Sequence, residues 1–192
     1  MMYARSDLQE ASRSHFFVSC NTTSLNVRRS GRSSHTGGDS HLTAAAGFDL
    51  MESQHKEHSN TMIKLEDARR IIAAAEKKAA EIGQPMNIAV ADAGGNLVAH
   101  VRMDSAWLGS IDISIKKAYT SRAFDIATKD LATHSQSGNQ FFGIHASNDG
   151  RIMIFAGGIP LRRDGKVVGA IGVSGGSGDQ DHAVAEAGVA AF

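Results

Sequence analysis

Two short turn signals decide most of what this chain can become. "DAGGN", from Asp92 to Asn96, lies between the apolar runs Ile88-Ala89-Val90 and Leu97-Val98-Ala99. Asp164-Gly165 lies between "IPLRR" and "KVVGAIGVSGG". Gly, Asn and Asp tolerate the positive φ of a tight hairpin turn, so each signal joins two antiparallel strands. Hairpins of this kind exclude a doubly wound parallel sheet. Strands are expected at about Asn87–Ala93 and Asn96–Met103, and in "RIMIFAGG", "IPLRR" and "KVVGAIGVSGG", which makes five.

Helical spacing fills the intervals. Leu65, Ala68, Ile72, Ala75, Ala79 and Ile82 share one face, and Gly83 and Pro85 supply the stop. In "GSIDISIKKAYTSRAFDIA" the spacing aligns Ile111, Ile115, Ala118, Arg122 and Ile126. "TKDLATHSQSGNQFFGIHASNDG" reads as a short helix and a loop, and Asp181 to Ala191 as a closing helix. The fold class is therefore α/β of the α+β type: a central five-stranded antiparallel sheet flanked by helices.

A length of 192 residues fits one domain with an extra segment. Residues 1–61 are rich in Ser, His and Arg and carry no sustained period, which reads as a flexible N-terminal extension. The folded unit is expected over 62–192. Arg28-Arg29 and "TAAAG" resemble parts of an export signal, but no apolar stretch lies between them, so export is not expected. With 20 basic against 20 acidic residues, neither nucleic acid nor an anionic membrane is an expected partner. No run is long and apolar enough to span a bilayer. The single cysteine, Cys20, allows no intramolecular disulfide and fits a reducing compartment; a cytoplasmic location is the expectation.

The glycine-rich stretch before the last helix raises a phosphate cradle as one possibility. Yet Gly169, Gly172, Gly175, Gly176 and Gly178 never take G-x-G-x-x-G spacing, and no G-x-x-x-x-G-K-[ST] is present. Asp179 and Asp181 already place negative charge at that helix start, which suits the helix dipole and repels phosphate. Turns, a cap and close packing are the better account. Asp179 with His182, and "HKEH" at His55–His58, are each too few ligands for a metal site.

Together "LEDARRIIAAAEKKA", "IAVADAGGNLVAHVRMDSAWLGSIDISIKKAYTSRAF", "FAGGIPL" and "GAIGVSGGSGDQDHAVAEAG" resemble the GlcG/HbpS-like family, the haem-degrading domain family. The same stretch resembles the C-terminal domain of PduO-type corrinoid adenosyltransferases. The resemblance covers Met62 to Phe192. It implies a five-stranded antiparallel sheet with helices on its faces, in profilin/PAS-like layering. It also implies a homo-oligomer built from dimers, up to an octamer. Its functional implication is looser: some relatives bind and degrade haem, and others carry no assigned activity.

Haem needs an apolar slot, an axial ligand and cations for its propionates. His134 and His145, near Phe141, Phe142 and Phe155, are the candidate ligands; the competing reading is a loop packed by two phenylalanines with its histidines in solvent. Tyr119 and Met103 stand in reserve, with core packing the favoured reading of both, and His100 is expected on the sheet face opposite its neighbour Val101. Lys116 is expected to meet a carboxylate at the pocket mouth, ahead of Lys117, and Arg122 follows on the same helix. Trp107 covers the pocket or anchors a subunit contact. Gly157 and Gly158 lack side chains, so a flat ligand or a carboxylate can touch the backbone there, unless the pair only marks a bulge.

The reading with most support is a haem-binding or tetrapyrrole-binding protein with coupled oxidative degradation. Two alternatives stay open. One is a cofactor-free enzyme on a small carboxylate or aromatic metabolite, with Lys116 or Arg122 holding the carboxylate and Asp92 or His145 moving a proton. The other is a non-catalytic sensing module. The residues do not decide whether the chain is an enzyme.

Overall fold

The computed structural model describes residues 62–192. The expectation of a flexible extension, the "HKEH" stretch and Cys20 lie outside the described residues. The elements run α1 (Leu65–Glu81), β1 (Asn87–Asp92), β2 (Leu97–Arg102), α2 (Ser110–Phe124), α3 (Thr128–His134), β3 (Gly158–Arg163), β4 (Lys166–Ser174) and α4 (Gly178–Ala190). Single 3-10 turns at Ile144–Ala146 and Asn148–Gly150 interrupt the long connection after α3.

Among the described residues the sheet has four strands, all antiparallel, in the order β2-β1-β4-β3. Both expected hairpins form, with β1 against β2 and β3 against β4. The fifth strand does not. "RIMIFAGG" alternates like a strand, but its backbone is held by a helix: the Met153 N–H donates to Thr120 Oγ1 at 2.9 Å. The same hydroxyl contacts the Arg151 carbonyl at 3.2 Å. Pairing starts only at Gly158, opposite Gly172. The buried Ile152 anchors the segment without a ladder.

Strand alternation divides the molecule into layers. Ile88 and Val90 of β1, with Ile171 and Val173 of β4, face α1 and α4 and form the main core with Ile71, Ile72 and Val184. Ala89 and Ala91 point the other way, against Ala118 of α2. The face of α1 is where its spacing puts it: Ala68, Ile72, Ala75 and Ala79 are buried, joined by Ile71, while Leu65 is exposed.

Helix α2 departs from its apolar pattern. Its buried residues are Ser110, Ser114, Lys117, Ala118, Thr120 and Ser121; Ile111 and Ile115 are only partly buried. Small side chains let the helix backbone approach a sheet face of Ala and Gly more closely than an isoleucine stripe would. A Cβ built at Gly172 would collide with the Ser114 carbonyl and the Ala118 amide.

Candidate functional site

Lys117 lies on the buried face of α2 and its side chain is 0% exposed. Its ammonium donates to Asp181 Oδ2 at 2.6 Å and to the Val173 carbonyl at 2.9 Å. The Phe155 ring covers it, with the centroid 4.6 Å from Nζ. The other oxygen of Asp181, Oδ1, accepts the Gly175 N–H at 3.1 Å and the Gly176 N–H at 2.9 Å. Burial pushes the Lys117 ammonium down from its ordinary pKa and the Asp181 carboxyl up, while each partner opposes the shift of the other. The donors and acceptors around the pair match the charged forms, since every neighbour of the carboxylate is a donor.

This settles the glycine stretch. Its loop is an anion cradle, and the anion is the carboxylate of Asp181 itself. Capping falls to other residues: Ser177 Oγ accepts the Gln180 N–H at 3.3 Å, and Gln180 Oε1 accepts the Ser177 N–H at 2.9 Å.

A groove of about 520 Å³ lies between α3, β3 and α4. Its apolar lining is Ala127, Ile159, Val189 and Ala190. Its polar lining is Lys129, Asp130, His182 and Glu186. The His182 side chain is 17% exposed, and its Nε2 lies 3.4 Å from Glu186 Oε1. Its Nδ1 is buried with no hydrogen-bond partner. The walls are pinned. Thr128 Oγ1 accepts the Gly158 N–H at 2.8 Å and ties α3 to β3, while Asp181, next to His182, ties α4 to α2.

The residues expected from the sequence fall in several places. His134 ends α3, exposed, with its ring edge-on to Phe141 at 6.1 Å between centroids. His145 is exposed in the 3-10 turn Ile144–Ala146. Phe141 and Phe142 are 42% and 64% exposed. No hydrogen bond or ring contact among the described residues joins either histidine to Phe155. Asp92 is committed to its own turn, where Oδ1 accepts the Gly94 N–H at 2.8 Å and the Asn96 N–H at 2.9 Å. Lys116 pairs with Asp112 at 2.9 Å on the outer side of α2, and Arg122 pairs with Asp125 at 2.6 Å.

Gly157 and Gly158 are buried, and the space their missing side chains leave is filled from within. A Cβ at Gly157, whose φ is +119°, would meet Lys117 Nζ at 2.8 Å and the Val173 carbonyl; one at Gly158 would meet the Lys117 carbonyl and Thr128 Cγ2, each at 2.6 Å. Lys117, which the sequence ranks behind Lys116, is thus the buried lysine. The sequence raises His182 only as a metal ligand beside Asp179, which too few ligands exclude, and it does not raise Lys129 at all. Each adjoins a buried polar residue, Asp181 or Thr128, at the start of a helix.

The groove fits haem on three counts. Its volume lies within the range of cofactor pockets. Half of its lining is apolar, and it holds the 17%-exposed imidazole of His182 and a lysine able to meet a propionate.

The family described as "Haem degrading protein HbpS-like" matches residues 63–190. A 15.0 kDa protein of Citrobacter freundii, from the dhaT-dhaS intergenic region, is 40% identical over 138 residues, covering 72% of this chain and 97% of that protein. The crystal structure of Klebsiella pneumoniae protein ORFY superposes with a TM-score of 0.67 at 38% identity, covering 68% of this chain and 90% of that one. The crystal structure of a PduOC–haem complex superposes with a TM-score of 0.66 at 33% identity, covering 68% of this chain and 94% of that one.

Proposed function

We propose that this chain, which belongs to the HbpS-like family of haem-degrading proteins, binds haem in the groove between α3, β3 and α4. The carrying observation is the groove itself: about 520 Å³ of space with a half-apolar lining that holds one imidazole and one lysine beside the carboxylates of Asp130 and Glu186. His182 would hold the iron and Lys129 a propionate, while Ala127, Ile159 and Val189 keep water from the ring. Nδ1 is closed off from the groove, so Nε2 would be the ligating nitrogen, and the exposed Glu186 carboxylate now 3.4 Å from it would give way. When bound, haem supplies oxygen-activating redox chemistry, and any degradation of the ring belongs to that chemistry.

A second place for the macrocycle has one observation in its favour. Phe141 and Phe142 are exposed beside His134 and His145. Self-association and a cytoplasmic location complete the reading. Exposed Trp107 and Leu108 support the first, and sedimentation velocity tests it. Cys20 as the only cysteine supports the second, and cell fractionation tests it.

The deciding experiment is a haem titration of the full chain followed in the visible spectrum. A saturable, shifted Soret band at one haem per chain is expected, lost in His182→Ala and kept in His134→Ala/His145→Ala. The reverse pattern moves the site to the loop. A featureless, non-saturating rise in the parent overturns haem binding altogether.

A further inference from the structure

A buried ion pair is a poor way to gain stability, because apolar residues of similar volume do as well or better. The Lys117–Asp181 pair has a second property. It joins four parts of the chain at one point: α2 through Lys117, the end of β4 through the Val173 carbonyl, the Gly175-Gly176 loop, and the first turn of α4. The segment leading into β3 rests on the same ammonium through Phe155 and Gly157. Two of these parts continue directly into groove walls, Ile159 on β3 and His182 on α4. The third wall, α3, is fixed to β3 by Thr128.

We propose that Lys117 and Asp181 are positioning residues for the groove: their contact, together with the Thr128–Gly158 bond, sets the spacing of its walls and the aim of His182. Neither side chain lines the groove, so they act through the backbone that carries Ile159 and His182. This rests on the haem reading for its ligand, while its geometric content does not need haem.

The test uses the full chain with three variants: Asp181→Asn, the paired replacement Lys117→Met/Asp181→Leu, and Thr128→Val. The paired replacement removes both charges together, so no lone charge is left buried. Two readouts are taken on each folded variant: the haem titration, and the imidazole NMR signals of His182 with their pH titration in the haem-free protein. The expected result is haem binding about tenfold weaker with an altered Soret band, together with displaced His182 signals, while those of His134 and His145 stay in place. A mere loss of stability leaves the His182 signals where they are. The proposal is overturned if the paired replacement keeps the parent's haem affinity and unmoved His182 signals. If the pair variants do not fold, Thr128→Val decides by the same two criteria. If the parent takes up no haem, the haem reading falls alone and the His182 signals still decide the positioning role.

Discussion

Ala118 of α2 sits directly on Gly172 of β4: a Cβ at Gly172 would come within 3.1 Å of the Ala118 Cα, and closer still to its amide nitrogen. Helix and strand here touch backbone to backbone. Replacing Gly172 by Ala must push the helix off the sheet, so Gly172→Ala should destabilise the protein by about 1–3 kcal/mol, the ordinary range for overpacking. Urea denaturation measures this, and an unchanged midpoint would contradict the contact.

At the start of α4, Ser177 and Gln180 satisfy each other's backbone amides. Ser177→Ala removes one acceptor and should cost about 1 kcal/mol. The haem titration should barely change, because Asp181, which holds the turn from inside, is untouched.

His100 carries a pH dependence. Burial holds its imidazole below the ordinary value of 6.5, and Nε2 is buried without a partner. The unfolded chain therefore binds the proton more readily than the folded one. Stability is full above about pH 6.5 and declines as pH falls through that value toward the lower folded one. In His100→Leu the decline between about pH 7 and pH 5 should be shallower than in the parent. An equal slope would mean that another group governs that window.

Among the described residues, Lys129 is the only lysine or arginine lining the groove. If it meets a propionate at the rim, Lys129→Glu should weaken haem binding roughly fivefold, close to 1 kcal/mol for an exposed ion pair. The weakening should shrink as salt rises, and the Soret position set by His182 should persist.

The hairpins, α1 and the order of the elements were legible because each depends on neighbours in sequence: turn glycines, a helical stripe, a stop at Gly83 and Pro85. Two features were not. The apolar alternation of Ile152 and Ile154 looks like a strand, yet Thr120, distant in sequence, takes up the backbone there. Helix α2 shows an isoleucine stripe, yet buries its serines, because the opposing sheet face is built of Ala and Gly. In both cases the deciding partner lies on another element, where periodicity carries no information. The same holds for the candidate site. Lys117 and Asp181 are 64 positions apart, and Lys129 and His182 belong to different helices. No local spacing announces them. The histidines with aromatic neighbours in sequence, His134 and His145, are the ones left in solvent.

The Gly175-Gly176 loop holds a carboxylate of its own chain where other proteins hold a free anion. Removing that side chain would leave two amides and an ammonium converging on an empty space. Asp181→Gly should therefore turn an internal strut into a receptor. Formate or acetate should refill the space and raise the variant's stability with concentration as ligand binding does, while the parent, already occupied from within, should not respond.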